Sequence, residues 1–472
     1  MVEGVLEPRP GTQSSLIAAA IMLALGFAIC LALNWPGQLS YDSVAQLHDG
    51  RTGHYNAWHP PVMAWLLGLA DAALPGTGLF ILFDAMLLFG SMLSLLWLRP
   101  GTSWLAAAAA AACVALPQFV LYQGIVWKDV LFADSAVAGF LVLAHAGVRW
   151  RRAGVRWGLI GAAFLLFALA ALARQNGAVG LAFGGPALAA IAVRNGTRPR
   201  DALVCGAGAL MAAGFIVLAA SLALAERSGG GSGPLGQFRL LQFYDLIGVV
   251  KADPALSLDT IARANSDLNK LIRSDGVRLY TPARNDTLYG APELLDEFAS
   301  TPSAAVGSQW WDVLLHHPFD YLGVRARVFS WVFLTPDPVG CDDWYAGVTG
   351  QPQMLRDLGL HRRYRAQDRV LGNYAGLFVG TPVFSHATYA FLDIVLLVFL
   401  FWRRRPPDFA IVSMLLGALA FAATFFVISL ACDYRYLLFL DLAAVAGLFY
   451  CAATWDGGSM STKSPSNNVT TQ

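Results

Sequence analysis

Charge is scarce in this sequence, and neither sign of charge dominates. Charged residues make up 13% of the 472 positions and hydrophobic residues 56%, whereas soluble domains have roughly 25% and roughly 45–50%. The formal net charge is +1, so no overall field favours nucleic acid or an acidic partner. The composition therefore excludes a soluble protein and a nucleic-acid-binding protein, and it indicates a polytopic membrane protein.

Cysteine is also scarce. The cysteines show neither CxxC nor CxxH spacing, so neither a zinc site nor a disulfide scaffold is indicated. They are Cys30, Cys113, Cys205, Cys341, Cys432 and Cys451. We expect Cys341 and Cys432 on the same side of the membrane, and the sequence leaves open whether they form a disulfide bridge.

Long apolar runs are abundant. A bilayer core about 30 Å thick needs roughly 20 apolar residues per helix. The runs predict ten spans, at about 14–34, 77–98, 104–122, 129–148, 158–173, 177–193, 202–224, 385–402, 409–430 and 437–455. No small-residue cleavage site follows the first run, which is therefore a membrane anchor and not a signal peptide. The predicted fold class is an all-α polytopic membrane protein, a bundle of about ten transmembrane helices with an outward-facing soluble segment.

The basic residues in short loops predict the orientation, because Lys and Arg are retained on the cytoplasmic side. The loops after the second, fourth, sixth and eighth spans hold eleven arginines: Arg99, Arg149, Arg151, Arg152, Arg156, Arg194, Arg198, Arg200, Arg403, Arg404 and Arg405. The loops on the opposite side hold only Arg51, Lys128, Arg174 and Arg435. Both termini are therefore expected in the cytoplasm, with 35–60 and 225–384 facing outward.

The predicted division of the chain follows these spans. It comprises an N-terminal transmembrane module 1–224 with a first outward loop 35–60, an outward segment 225–384, C-terminal transmembrane helices 385–455, and a disordered tail 456–472. The outward segment opens with a glycine-rich linker, "SGGGSGPLGQ", which prevents the preceding helix from continuing. A later stretch mixes Arg325 and Arg327 with a Phe/Trp/Leu face, as a helix lying at the membrane interface would.

Four aspartates lie inside predicted spans: Asp84, Asp134, Asp393 and Asp441. At a rise of about 1.5 Å per residue, each is about 7–13 Å below the outward end of its helix. A carboxylate facing lipid costs several kcal/mol, so such residues normally face a bundle interior or a watery cavity. They predict a polar cavity open to the outside. The alternative is that each Asp only caps a helix or pairs with a neighbour to fix packing.

Three cations stand at outward helix ends: Lys128 in "IVWKDVLFA", Arg174 in "ARQNG" and Arg435 in "CDYRY". Asp129 is placed to cap the helix that Lys128 begins, where free N–H groups favour an anion. Arginine grips phosphate in a bidentate manner. The three cations therefore fit a phosphate or diphosphate whose lipid tail stays in the bilayer. The alternative is that each cation extends to the interface beside aromatic residues.

The motifs also carry a resemblance. Tyr41-Asp42-Ser43 with Gln46 just after the first span, then "WHPP" at 58–61, "WKD" at 127–129 and a late "RY" at 435–436 resemble the GT-C superfamily of membrane glycosyltransferases. The closest likeness is to bacterial relatives of the protein mannosyltransferases and lipid A aminoarabinose transferase. It covers roughly 35–180 and 385–440, and the long outward segment matches only in position.

The resemblance implies a polyprenyl-phosphate or diphosphate-linked sugar as donor, a glycan, lipid or protein acceptor on the outer face, and inversion at the anomeric carbon. It implies that Asp42 is the catalytic acid of the first outward loop. The family pattern often has two adjacent acids where this chain has Asp42-Ser43, which puts metal binding by such a pair in doubt.

The residues suggest the same roles. Asp42 serves as a base for an acceptor hydroxyl if partial burial raises its pKa, while Lys128, Arg174 and Arg435 stabilise the leaving phosphate. The supporting candidates are Tyr41, Gln46, His54, His59, Asp129, Asp433, Tyr434 and Tyr436. Two plainer interpretations stay open: Asp42 only begins a short interfacial helix, and His59 only precedes a helix that starts with Pro60 and Pro61.

Cofactors and rival functions also stay open. Asp42, Asp129 and Asp433 offer oxygen ligands to Mg²⁺ or Mn²⁺, but no run has the spacing of a metal site. The main rival is an ion- or proton-coupled secondary transporter that uses the intramembrane aspartates as relays. A non-catalytic scaffold is the third interpretation. The enzyme requires Asp42 to lie near Lys128 and Arg435.

Overall fold

The computed structural model describes residues 10–56, 58–99, 101–226, 228–229, 233–337 and 340–455. The predicted tail 456–472 lies outside the described residues. Helices dominate the described chain, and its strands are β1 (Tyr55–Asn56) and β2 (Ser228–Gly229), which pair in parallel. The predicted all-α polytopic class is confirmed.

The N-terminal part of the chain forms ten α-helices. They are α1 (Pro10–Asn34), α2 (Tyr41–Thr52), α3 (Pro61–Ala73), α4 (Gly78–Ser94), α5 (Trp104–Val114), α6 (Pro117–Val120), α7 (Lys128–Val148), α8 (Ala153–Ala173), α9 (Ala178–Arg194) and α10 (Pro199–Ala225).

The following segment forms shorter helices. They are α11 (Gly233–Ala252), α12 (Asp259–Ala264), α13 (Ser266–Leu271), α14 (Val277–Leu279), α15 (Pro292–Ser300), α16 (Ser303–His316), α17 (Pro318–Leu334), α18 (Pro352–Asp357) and α19 (Ala366–Gly376). The chain then returns to long helices, α20 (His386–Arg403), α21 (Asp408–Ile428) and α22 (Leu438–Ala453). Single 3₁₀ or π turns lie at Leu95–Trp97, Tyr122–Gly124, Ile272–Gly276, Asn285–Gly290, Pro382–Phe384 and Tyr434–Leu437.

Eight of the ten predicted spans are helices long and apolar enough to cross a membrane. The predicted span at 104–122 is a helix pair, Trp104–Val114 and Pro117–Gly124, bent by 71°, because Pro117 cannot continue the first helix. The predicted span at 177–193 is the 17-residue helix α9. The sequence prediction did not count Pro61–Ala73, which is also a short apolar helix.

Helix α7 forms the centre of the bundle. Nearly all of its side chains are buried, and it packs against α4, α8, α21 and α22. Phe132 on α7 contacts Phe421 and Phe439, with ring centroids 4.6 and 5.3 Å apart. A helix that is apolar on all sides belongs in such a core. Both ends of α7 are therefore fixed by the helices around it.

The bundle has two distinct ends. The arginine-rich end holds the turns between α4 and α5 and between α20 and α21, where Arg99 and Arg403 donate to oxygens of Thr454, each at 2.8 Å. The other end, here the site end, holds α2, the N-terminus of α7 and the segment α11–α19. The eleven arginines of the orientation prediction all belong to turns or helix ends of the arginine-rich end.

The segment α11–α17 has a core of its own, which includes Phe243, Tyr244 and Trp310. The side chain of Arg325, on the helix whose sequence pattern is typical of the membrane interface, is fully buried. It pairs with Asp245 at 2.9 Å. A buried guanidinium keeps its charge only where acceptors surround it, and the carbonyls of Phe426 and Ser429 at the end of α21 supply two more.

The chain after α17 returns to the bundle and is bonded to it covalently. Cys341 and Cys432 form a disulfide, so the pairing that the sequence left open is present. The backbone N–H of Tyr434 donates to the carbonyl of Cys341 at 3.1 Å. The segment 432–436 is thereby held in place at the site end, just before α22.

Candidate functional site

Two serines fix the start of α2 beside the start of α7. The backbone N–H of Ser40 donates to Ser43 Oγ at 3.2 Å, and Ser43 Oγ donates to the carbonyl of Val126 at 2.6 Å. Trp127 Nε1 donates to Ser40 Oγ at 2.8 Å. Because serines serve this helix terminus, the carboxylate of Asp42 in the first turn is not needed as its cap.

The side chain of Asp42 turns towards Arg435. Asp42 Oδ2 lies 2.9 Å from Arg435 Nη2, and the same nitrogen lies 3.2 Å from Asp433 Oδ2. Arg435 Nε lies 3.7 Å from Asp129 Oδ2. The guanidinium also packs on the ring of Trp127, 4.8 Å from its centroid. Arg435 thus joins three carboxylates that come from three separate parts of the chain.

Arg174 lies on the membrane side of this cluster. It forms a short ion pair with Asp129 and packs against the rings of Phe421, Phe425 and Tyr436, at 5.3–5.6 Å from their centroids. The predicted helix-capping role of Asp129 is wrong, because Trp127 holds the N-cap position and Asp129 lies within α7. The ion pair with Arg174 uses its carboxylate instead.

Lys128 and His59 complete the inner wall. Lys128 Nζ lies 3.2 Å from His59 Nδ1, and His59 Nε2 lies 3.9 Å from Asp42 Oδ1. The imidazole thus lies between the ammonium and the catalytic candidate. Within the described residues, Lys128 has no ion pair with a carboxylate, unlike Arg174 and Arg435.

Arg284 is a member of the cluster that the sequence did not single out. Its Nη2 lies 3.0 Å from Asp433 Oδ1 and 3.1 Å from Asp342 Oδ2. No local motif marks it. Backbone pairing places it at the site, because Arg284 forms a β-bridge with Ala431 and the N–H of Asn285 donates to the carbonyl of Leu430.

These side chains line a cavity of about 590 Å³ at the site end. Its polar lining includes Asp42, His59, Lys128, Arg174, Gln175, Asn176, Asp433, Arg435 and Tyr436. Phe425 and Ile428 of α21 contribute an apolar wall. The outer rim includes Trp58, Phe238 and Tyr289, whose rings are exposed. The cavity therefore combines a charged part with both signs of charge, an apolar flank and an aromatic rim.

The remaining supporting candidates lie elsewhere. Tyr41 is exposed and contacts Gln351. Gln46 is buried on the inner face of α2, and His54 is exposed, with Nδ1 3.1 Å from the carbonyl of Thr52. Tyr434 is buried and stacks on His386, with ring centroids 4.1 Å apart. None of the four is among the lining residues of the cavity, so the structure does not bring them to the site.

The electrostatics correct one expectation. Burial favours a raised pKa for Asp42, but the positive charge of Arg435, with His59 and Lys128 nearby, outweighs it and holds the pKa of Asp42 below its ordinary value. The condition that burial raises this pKa is therefore not met, and the carboxylate is ionised. Burial, together with the charge of Lys128, lowers the pKa of His59 to about 4, so the imidazole is neutral at pH 7. Burial raises the pKa of Asp433 to about 6, against the effect of Arg435.

The four intramembrane aspartates do not line the cavity, so the prediction that they belong to it is wrong. Asp84 and Asp134 face each other between α4 and α7. Asp441 lies 2.8 Å from His386 Nδ1, and Asp393 is buried near Asp441. All four carboxylates are buried in the interior of the bundle and not in contact with lipid.

A divalent metal does not fit the predicted ligands. All six carboxylate oxygens of Asp42, Asp129 and Asp433 lie within 3.9 Å of a nitrogen of Arg435, His59, Arg174 or Arg284. Among the described residues, the group close enough to share a metal ion is Asp253, His317 and Asp320, and none of these lines the cavity.

Comparison with known proteins gives structural similarity only. No protein-family model matches the chain, and no curated protein matches it. A solved structure of the oligosaccharyltransferase AglB from Archaeoglobus fulgidus, in complex with an inhibitory peptide and a dolichol-phosphate, is 15% identical, with a TM-score of 0.39. The match covers 92% of this chain and 50% of that chain, so the chain spans half the length of this relative.

A second similar structure is ArnT from Cupriavidus metallidurans bound to undecaprenyl phosphate. It is 14% identical, with a TM-score of 0.34, and the match covers 92% of this chain and 77% of that chain.

Proposed function

We propose that this chain is an inverting membrane glycosyltransferase. It moves a sugar from a polyprenyl-phosphate or diphosphate donor to an acceptor glycan, lipid or protein. The observation that carries the proposal is the meeting of an ionised carboxylate, Asp42, with Lys128, Arg174 and Arg435 in one cavity at the end of an apolar bundle.

The donor phosphate is proposed to bind at Lys128. Arg174 and Arg435 are each paired with aspartates. Among the described residues, the hydrogen-bond partner of Lys128 is the neutral ring of His59, and the carboxylates of Asp129 and Asp42 are nearby without forming an ion pair with it. An anion placed there gains a full charge-assisted hydrogen bond. The apolar flank of Phe425 and Ile428 suits the first units of the polyprenyl tail.

Asp42 is proposed to be the base. Its resting pKa is held low by nearby cations, and a bound donor phosphate brings negative charge that offsets them. A nearby like charge raises the pKa of a carboxylate, so donor binding turns Asp42 into a stronger base. The acceptor O–H gives its proton to Asp42, the acceptor oxygen bonds to the anomeric carbon, and the bond from that carbon to the phosphate oxygen breaks.

The leaving phosphate gains negative charge in this step. Lys128, Arg174 and Arg435 are already oriented by His59, Asp129 and Asp433, so they stabilise that charge without rearranging. His59 donates no proton in this scheme, because its imidazole is neutral. Its role is to hold Lys128 Nζ and the Asp42 carboxylate at a fixed separation.

The transporter is the weaker alternative. It needs ionisable residues along a path through the bilayer. The intramembrane aspartates are buried inside the bundle and do not line the cavity. The cavity also holds the cations that a phosphate donor requires.

We propose further that the site end faces outward and that the chain resides in the inner membrane of a bacterium, with both termini cytoplasmic.

Donor binding is tested with undecaprenyl phosphate and its phosphate-free alcohol, using purified protein in detergent. We expect the phosphate to bind and the alcohol to bind weakly or not at all. Lys128→Met should weaken phosphate binding by about 10- to 100-fold, the value of one charged hydrogen bond. Lys270→Met, on an exposed surface of the outer segment, is the matched control. Equal binding of both lipids would reject the donor site.

The base is tested with Asp42→Asn in a deletion strain, by following the transfer of label from lipid-linked sugars in isolated membranes. We expect undecaprenyl phosphate binding within about threefold of wild type and transfer reduced by about 10²–10⁴-fold. Asp71→Asn, whose carboxylate pairs with Arg51 away from the cavity, should transfer normally. Full transfer by Asp42→Asn would show that another group accepts the proton.

A further inference from the structure

Three carboxylates of the site converge on one cation, and that cation is an arginine. Asp42, Asp129 and Asp433 each direct one oxygen at Arg435, at 2.9, 3.7 and 3.2 Å. The residues come from α2, α7 and the loop before α22. A convergence of three acids from separate elements is the usual construction of a divalent-cation site.

The other oxygen of each aspartate also faces a nitrogen of a neighbouring side chain. Asp42 Oδ1 lies 3.9 Å from His59, Asp433 Oδ1 lies 3.0 Å from Arg284, and Asp129 Oδ1 pairs with Arg174. Mg²⁺ requires near-octahedral oxygen ligands at about 2.0–2.1 Å. To bind here it would have to displace guanidinium groups from their carboxylates, which leaves those charges without their partners.

We propose that the guanidinium of Arg435 takes the place of a divalent cation in this site, so that donor binding and transfer need no metal ion. The second half of this inference rests on the proposed function, and the first half does not. A guanidinium is a permanent single charge with fixed N–H directions. It orients the carboxylates as a metal would, and chelators do not remove it.

The position becomes a metal site once Arg435 is removed. In Arg435→Ala the three oxygens that faced the guanidinium surround an empty space of the right charge and ligand type. Mn²⁺ accepts carboxylate oxygens readily. We therefore expect the variant to acquire a Mn²⁺ site that the wild type lacks.

The experiment measures Mn²⁺ binding by electron paramagnetic resonance on purified full-length protein. All variants carry Asp320→Asn, which disables the group formed by Asp253, His317 and Asp320. We expect no site in the parent protein, and one site per chain in Arg435→Ala with an affinity at least about tenfold above the parent. Adding Asp433→Asn should weaken that site. Arg51→Ala, which frees only the carboxylate of Asp71, should gain none.

The parent protein is also tested for undecaprenyl phosphate binding with and without EDTA, and we expect no difference. One Mn²⁺ bound per parent chain, removed together with phosphate binding by EDTA, would overturn the inference and leave the proposed donor site intact. An Arg435→Ala protein that folds, by its thermal unfolding profile, yet binds no Mn²⁺ would also overturn it. Loss of phosphate binding in the parent under all conditions would instead reject the proposed function.

Discussion

At the scale of single residues, the site works by charge pairing in a partly dry cavity. Arg174 and Arg435 are neutralised by aspartates, and Lys128 is left for an anion. His59 separates Lys128 from Asp42 and is kept neutral by burial and by the adjacent ammonium. The pKa of His59 therefore depends directly on the burial of this part of the cavity and on its positive charge.

We predict a pH-dependent contribution of His59 to stability. Its pKa falls from an ordinary 6.5 to about 4 on folding, so between these values the unfolded chain binds more protons and stability falls as pH falls. The total effect is roughly 3 kcal/mol. Thermal unfolding should show the difference between wild type and His59→Gln changing between pH 6.5 and 4 and constant above 7. A difference independent of pH would contradict the buried, neutral state.

At the scale of elements, helix α17 connects the core of the segment α11–α17 to the transmembrane bundle. Arg325 bonds Asp245 on α11 and two carbonyls at the end of α21. Phe425 and Ile428, near that end, line the cavity. Arg325 therefore fixes the position of this wall of the cavity relative to the segment α11–α17.

We predict that Arg325→Ala destabilises the protein by about 3–5 kcal/mol, because Asp245 is left as an unpaired buried charge. Arg327→Ala, two residues further along the same helix and exposed, should change stability by no more than about 0.5 kcal/mol. Urea or thermal unfolding in detergent measures both. Equal effects would mean that α17 contributes through its apolar face alone.

At the scale of the whole molecule, the two ends of the bundle differ in charge. Eleven arginines collect at one end, and the cavity with its disulfide lies at the other. Lys and Arg are retained in the cytoplasm, and disulfides persist in oxidising compartments. Both rules independently support the proposal that the site end faces outward.

We predict the orientation to be visible by cysteine labelling in intact cells, in a background that carries Cys205→Ser. Tyr289→Cys at the rim of the cavity should react with a membrane-impermeant maleimide, and Arg404→Cys should react only after the cells are opened. Both positions are exposed, so access to reagent alone distinguishes them. The reverse pattern would place the site in the cytoplasm.

The sequence by itself determined the class of the protein, its spans, and the cations at one end of them. Apolar length and residues at helix ends are local properties, and they hold wherever the helices pack. Lys128, Arg174 and Arg435 were found in this way. The bent helix pair at Pro117 and the short α9 departed from the predicted spans for an equally local reason, proline in the first case and helix length in the second.

Only the tertiary structure determined which charged side chains pair with one another. Asp42 and Arg435 are 393 positions apart, and Arg284 reaches Asp433 through backbone pairing that no local pattern announces. The same holds for the four intramembrane aspartates and for Arg325, whose depth in the protein depends on which helices surround them. Electrostatic interactions depend on distance in space. The partners of a charged side chain, its pKa and its exposure to water are therefore determined by the fold and not by its position along the chain.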